Sequence, residues 1–461
     1  MHFLRFLPAL PLFALSLWAA PSSSDELVLP EKIFPQLDVI LKRAVERSPQ
    51  MVSRGLDLEI AENGRIEARA GLLPSVGANF SYSKSKDRLQ YVYPGSTGIP
   101  DSSRSYTTTR TPYNISVNQP VFMWGERRNS AEVGKIQKKI AEGNYRDGYR
   151  MLAQAIRSQY LQLIVQKNAL NRVKLANKYN HDVLTLSEDR LAKKVISEAE
   201  IFGVRLSADR SDIELETAEY NFSAARLAFA RLTGADELED GDIPDDVAPI
   251  EYSPDAIARR LAGFLEQKDP QTVAAESLRN AIKINKLNYL NQKTRLRPKI
   301  SANFGTSQSV DRNYFGQDLT YSDTAVYGGI NVNWTIFDGL SAVAGRRSAL
   351  ARLRQAENNY RDLTAQLAQD ARTDAKQISF SARNLKLSER VLDTTVGGFK
   401  VKQADFERGV VSENEITQGQ IGVLDAKIAT LNARVDLLIR IGDFLGTIAE
   451  DPVIANLPAK P

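Results

Sequence analysis

The segment Asn144-Tyr145-Arg146-Asp147 returns as Asn359-Tyr360-Arg361-Asp362, 215 residues further along a chain of 461. At the same offset Val195-Ile196-Ser197-Glu198-Ala199-Glu200-Ile201 returns as Val410-Val411-Ser412-Glu413-Asn414-Glu415-Ile416. Two matches about fifty residues apart with no slippage between them mean that one unit has been duplicated in tandem. The unit is too long for a solenoid repeat. The chain is therefore expected to be two halves, residues 21–250 and 251–461, that build one object together.

Export is the first expectation. His2 and Arg5 precede an apolar run from Phe6 to Ala20, and Ser22-Ser23-Ser24-Asp25-Glu26 follows, which reads as a signal peptide over residues 1–20. Pro21 leaves the cleavage point open. Beyond that run no stretch of twenty apolar residues exists, so spanning helices are not expected. Removing residues 1–20 takes away one arginine and lowers the net charge from +4 to +3, which gives no case for nucleic-acid binding. There is no cysteine, so disulfides, thiolate metal sites and lipid attachment to an N-terminal Cys are excluded.

Both halves show the same order of elements. A helix over about Leu37–Leu72, stopped by Pro74, corresponds to one over Pro254–Leu296, stopped by Pro298. Alternating segments follow. Val76, Ala78, Phe80 and Tyr82 interleave with Ser75, Gly77, Asn79 and Ser81; Tyr113, Ile115 and Val117 with Asn114, Ser116 and Asn118. In the second half Pro298-Lys299-Ile300-Ser301-Ala302-Asn303-Phe304 repeats the first segment. Ile330, Val332, Trp334 and Ile336 then interleave with Asn331, Asn333 and Thr335. Period two with one apolar and one small polar face predicts four strands, in two hairpins, with exposed loops over about Arg88–Pro112 and Asp311–Thr324. Long helices start after Phe122 and Phe337 and carry sevenfold apolar spacing. Tyr149, Ile156, Leu163 and Leu170 mark the outgoing helix, and Leu206, Ile213, Tyr220 and Leu227 the returning one. Sevens sustained this long predict supercoiled packing. The acidic stretch from Asp236 to Glu251 reads as a solvated linker.

A strand set with a continuous apolar face needs a second sheet or lipid against it. The opposite face of Asn, Ser, Gly and Thr suits a water-filled lumen. Aromatics at the strand ends (Tyr82, Tyr113, Trp124, Tyr327, Phe337) suit interfacial girdles. Four strands cannot close a barrel, so chains must pool them, eight for a dimer or twelve for a trimer.

With this order in view, the chain resembles the TolC family of outer-membrane efflux and secretion channels. The likeness is carried by Leu73-Pro74-Ser75-Val76, Val117-Asn118-Gln119-Pro120-Val121-Phe122, Trp334-Thr335-Ile336-Phe337-Asp338-Gly339 and Phe406-Glu407-Arg408-Gly409-Val410-Val411-Ser412. The resemblance implies a mainly α chain with four strands contributed to a shared 12-stranded membrane β-barrel, continued by an antiparallel coiled-coil tunnel across the periplasm. It also implies a homotrimer that docks a periplasmic adaptor (membrane fusion) protein and an inner-membrane transporter, as in tripartite efflux pumps or type I secretion.

Candidate functional residues follow. Ser197–Glu200 and Ser412–Glu415 fit capping boxes; by resemblance Glu415 and Gln418, with Glu200 as the first-half counterpart, occupy the periplasmic aperture. The family often has an acid at Gln418 and a base at Val411, so this chain departs from its pattern there. Adaptor docking, again by resemblance, falls on Arg408, Gly409, Val410 and Val411 and on Lys194, Val195 and Ile196. Asn79, Asn118, Asn303, Asn331 and Asn333 are read as barrel-lumen residues, with hydrogen bonding inside the barrel as the other open role. His181 reads as a surface residue, and Gly328-Gly329 as an aid to strand packing, not a phosphate loop. No metal site, cofactor or catalytic constellation is expected: with residues 1–20 removed, His181 is the one histidine left. The expected function is a passive outer-membrane exit duct. A periplasmic coiled-coil tether or assembly protein with a soluble β-domain is the alternative.

Overall fold

Two helices of 67 residues dominate the chain: α4 (Glu126–Ala192) and α8 (Ser341–Glu407). They begin and end 215 residues apart, so the duplication seen in short motifs extends to whole elements. Each spans about 100 Å at 1.5 Å per residue. The computed structural model describes residues 27–91, 102–312 and 319–457; the expected signal peptide and both strand-loop tips lie outside them. No described helix is long and apolar enough to cross a membrane. The remaining helices are α1 (Pro30–Ile33), α2 (Pro35–Arg47), α3 (Pro49–Ala70), α5 (Glu198–Thr233), α6 (Pro254–Glu266), α7 (Val273–Lys293) and α9 (Glu413–Thr447).

The chain forms two compact units, each drawing on both halves. One holds the described residues up to Pro49, Met151–Lys268 and Leu367–Asn456; the other holds Gln50–Arg150 and Asp269–Gln366.

In the first unit the core is helical. Phe264, Ile378, Leu385, Leu437, Ile441 and Phe444 form one buried cluster. Of the predicted seam on α4, Ile156, Leu163 and Leu170 are buried in this unit, and Tyr149, which belongs to the other unit, is buried too. On α5 the seam read from the sequence is not the inner one. Ile201, Ala208, Phe222 and Phe229 are buried, at intervals of seven or fourteen, whereas Ile213 is 66% and Tyr220 73% exposed. The helix thus carries two apolar stripes, and the sequence reading chose the outer. A similar outward row on α8 contains Phe380, Leu387 and Val401. Within the core, Arg157 is buried between two carboxylates: its guanidinium donates to Glu31 (2.8 and 2.5 Å) and to Asp451 (2.7 and 3.1 Å). Asp451 also accepts from the Val453 N–H. One buried charge so ties the segments around Glu31 and Asp451 to α4.

The acidic stretch is docked, which corrects its reading as a solvated linker. Ile243 and Val247 are fully buried. Lys167 Nζ donates to the Asp240 and Ile243 carbonyls, and Arg434 to the Val247 carbonyl. The carboxylates of Asp240, Asp245 and Asp246 stay largely in solvent. Cations from α4 and α9 hold the backbone that the charge pattern alone left free.

The second unit contains the sheet. Strands β1 (Ser75–Phe80) and β2 (Ser83–Tyr91) both pair antiparallel with β3 (Ser102–Phe122); β3 pairs with β4 (Lys299–Arg312), and β4 with β5 (Thr320–Asn333). β1 and β2 share one register against β3 (Phe80 opposite Tyr113, Ser83 opposite Arg110). They are one path interrupted where Pro112, which has no N–H to give, faces Ser81. The four expected paths are present, but β5 stops at Asn333, so Trp334 and Ile336 lie beyond the strand they were read into, while toward the loops the strands run further than the sequence suggested. Residues 88–91, 102–112, 311–312 and 320–324 are paired strand, not loop. Thr107, Thr108, Thr109 and Thr111 supply β-branched residues that favour the pleat, and Arg110 opposite Asp311 adds a paired charge.

Candidate functional site

Register assigns every strand residue to a face. On one face Val76, Val117 and Phe304 lie in a row, with Ala78, Ile115, Thr306 and Val326 in the next, and Ile330 and Val332 nearby. This face is open: Val326 is 85% exposed, Ile330 75% and Phe80 72%. Further up the strands it becomes charged, with Lys84, Lys86, Arg88 and Arg312. The apolar band is thus about seven residues tall, or roughly 23 Å at 3.3 Å per residue.

All five asparagines predicted for a lumen fall on the other face. Asn79 is opposite Asn114, Asn118 opposite Asn303, Asn331 opposite Ser301, and Asn333 opposite Lys299. Asn114 Nδ2 donates to the Tyr327 hydroxyl at 3.1 Å. Tyr327 therefore sits on the polar face and is not a girdle residue. Gly305 lies opposite it and leaves room for the ring, since a Cβ there would meet the Tyr327 hydroxyl at 2.6 Å. Higher on the same face Arg110 makes a two-pronged contact with Asp311 (2.9 and 3.0 Å). Sequence reasoning missed that pair. Its members are 201 positions apart, and only the pairing of β3 with β4 unites them.

Where strand becomes helix, each half makes the same turn with two successive left-handed residues: Trp124-Gly125 (φ +52°, +86°) and Gly339-Leu340 (φ +64°, +69°). Trp124 Nε1 donates to the Pro298 carbonyl at 2.8 Å, and Trp334 Nε1 to the Leu296 carbonyl at 3.0 Å. Two indoles thus fasten the turn that leads from α7 into β4. The sequence shows both tryptophans but not this shared target.

At the far end of the long helices the two predicted tips have one geometry. The Lys194 and Val195 amides donate back to Leu191 and Arg190, and those of Gly409 and Val410 to Phe406 and Asp405. This is the paired bonding of a left-handed helix end. Val195 and Val410 stand out into solvent at about 70% exposure; Ile196 and Val411 are half-buried, and Arg408 pairs with Asp405. Both capping boxes form. The Ser197 N–H donates to Glu200 at 2.7 Å and the Ser412 N–H to Glu415 at 3.0 Å. The Ser197 amide, then its hydroxyl, hold the Glu200 carboxyl below the usual carboxylate range. Gln418 Nε2 donates to the Tyr179 hydroxyl at 2.6 Å, a link between α9 and α4 that the sequence did not suggest. His181 is exposed and bonds Asp212 at 2.7 Å.

Residues 40–235 and 288–441 match the family described as outer membrane efflux protein. The fold is similar to the outer membrane channel CmeC of Campylobacter jejuni, with a TM-score of 0.66, 14% identity, and coverage of 97% of this chain and 94% of that one. It is also similar to VceC of Vibrio cholerae (0.61, 13%, 92% and 99%) and to the open-state MtrE channel of Neisseria gonorrhoeae (0.60, 14%, 90% and 89%). No curated protein matches the sequence. The chain belongs to the outer membrane efflux protein family, as a non-catalytic outer-membrane channel protein with the TolC-like fold of repeated halves.

Proposed function

We propose that three copies pool their four strand paths into a twelve-stranded barrel, and that this trimer is the exit duct of a tripartite efflux pump or type I secretion system. The observation that carries the reading is the two-faced sheet. Its apolar side is bare in the single chain, which fits acyl chains as its solvent. Its asparagine side then lines the passage. The outward stripes on α5 and α8 fit the lateral contacts that three long helical bundles would make, because a sevenfold apolar row left in water wastes about 1.5–3 kcal/mol per large side chain.

Under the same reading the duplicated tips face the periplasmic partners. Val195, Ile196 and Lys194, with Arg408, Gly409, Val410 and Val411, offer an exposed knob at each turn to an adaptor protein that works with an inner-membrane transporter. Glu415, Gln418 and Glu200 form the constriction at the closed end. With Gln418 bonded to Tyr179, opening requires α9 to leave α4 at that point. The test is a planar-bilayer recording of the detergent-purified protein together with its mass by light scattering. A trimer that conducts is expected, with cation preference weakened in Glu415→Lys. A detergent-free monomer without conductance would overturn the reading.

A further inference from the structure

At the foot of the polar sheet face lies a cavity of about 560 Å³ whose walls hold four cations, Arg127, Arg295, Arg297 and Lys299, and no carboxylate. Asn118 and Asn333 continue the same wall from the strands. Two of the cations are spoken for: Lys299 pairs with Glu126, and Arg295 lies 3.5 Å from Asp338. The other two, among the described residues, have no carboxylate partner. Arg297 lies over the Trp124 ring, its guanidinium carbon 4.6 Å from the ring centre. A cation placed over a ring face still has N–H groups to give to an oxygen ligand. Arg127 packs its head against Gly71, where a Cβ would meet its Nη1 at 3.2 Å.

We infer that this cavity binds small organic acids with two or more carboxylates. Four cations with no carboxylate in the lining, two of them without a carboxylate partner among the described residues, form an electropositive recess. Arginine prefers planar oxyanions, which it can grip with two N–H groups at once. The inference depends on the duct reading only for its access route, since the cavity lies on the face assigned to the lumen. Function follows from position: a cationic collar where the barrel meets the helices would gather acidic solutes before they enter the barrel.

The probe is citrate, titrated calorimetrically into the detergent-purified protein at low ionic strength, with tricarballylate (the same three carboxylates without the hydroxyl) and spermidine in parallel. Citrate and tricarballylate are both expected to bind, and spermidine not at all. Arg127→Gln and Arg297→Gln should each weaken citrate about tenfold, the size of one lost charge-assisted contact. Arg297→Lys should recover only part of the loss. Lys135→Gln, an exposed cation on α4 outside the cavity, should change nothing. Each variant is first shown to elute and to give circular dichroism as the parent does. Absence of citrate binding, or binding indifferent to both arginine replacements, overturns the site. Calorimetry does not require conduction, so a protein that binds citrate but forms no pore would sink the duct reading alone, and a conducting protein that ignores citrate would sink this one.

Discussion

Lys194 and Gly409 hold equivalent places in the two halves and the same left-handed backbone, with φ of +60° and +72°. Glycine takes that conformation freely; an L side chain pays about 1–2 kcal/mol for it. The first tip therefore carries strain that the second does not. Lys194→Gly should tighten the first turn and slow hydrogen exchange at the Val195 amide by about five- to tenfold, matching about 1 kcal/mol. Gly409→Ala should speed exchange at the Val410 amide by a similar factor. Equal, unmoved rates in both variants would show that the turn is indifferent to its left-handed residue.

The outward stripe on α5 gives a test of assembly that does not perturb the fold of the chain. Ile213→Glu with Tyr220→Glu places two charges on residues 66% and 73% exposed, so the subunit itself loses little. If the stripe packs on a neighbouring copy, the double variant should run as monomer in light scattering while keeping its helical circular dichroism. Phe222→Glu, one stripe inward and 4% exposed, should instead unfold the helix pair. A trimer that survives the double replacement would remove the stripe from the interface.

Arg157 lies between Glu31 and Asp451, with its own side chain 4% and that of Asp451 1% exposed. Burial alone would lower the guanidinium's pKa, but Asp451 and then Glu31 outweigh it and hold the pKa above the ordinary arginine value. Removing one partner of such a group leaves an uncompensated buried charge, at a cost of about 3–5 kcal/mol. Asp451→Ala should therefore lower the urea midpoint strongly. Glu31→Gln should do less, because Glu31 is nearer to solvent and Asp451 remains. An Asp451→Ala midpoint equal to wild type would mean that water reaches the site.

Glu62 on α3 meets Arg65 (2.6 Å) and Lys138 of α4 (3.0 Å). Hydrogen bonds from Arg65 first, then Lys138, lower its pKa from 4.5 to about 2. A carboxyl whose folded value is depressed contributes fully above its unfolded value and loses that contribution as pH falls through the folded one. The melting temperature of wild type should exceed that of Glu62→Gln by a constant amount from pH 8 to about 5. The gap should narrow below about 4.5 and close near 2. Salt should shrink it as well, since the group is solvent-accessible. A gap that grows on acidification would contradict the assignment.

Much of this architecture could be read from the chain because it rests on local periodicity. Sevens along α4 and twos along β1, β3 and β5 recur within a few residues of one another, and Pro74 and Pro298 mark breaks that need no partner. What the sequence hid depends on distant pairing. Arg110 and Asp311 are neighbours only because β3 lies beside β4, and Gln418 reaches Tyr179 only because α9 lies beside α4. The α5 stripes show a third kind of limit. Both the inner row with Phe222 and the outer row with Tyr220 are apolar at sevenfold spacing, so periodicity alone could not rank them. Tyr327 failed for a related reason: an aromatic near a strand end suits a girdle, but its parity puts it on the asparagine face, where Asn114 and the space over Gly305 receive it.

Parity also supplies the sharpest test of which sheet face meets lipid. Ile330 and Asn331 are consecutive on β5 and point to opposite faces; both are exposed in the single chain. Ile330 is opposite Ala302, inside the apolar band, and Asn331 is opposite Ser301. A lysine facing acyl chains costs about 2–4 kcal/mol at the bilayer midplane and less toward the edge of the apolar band, and the cost is repeated in every subunit of a barrel. Ile330→Lys should therefore depress the yield of heat-resistant oligomer on refolding into lipid vesicles. Asn331→Lys should assemble normally and shift the reversal potential toward anions in a salt gradient, because its charge would stand in water inside the passage. Reversed outcomes would invert the barrel, and equal tolerance of both lysines would take this sheet out of the membrane altogether.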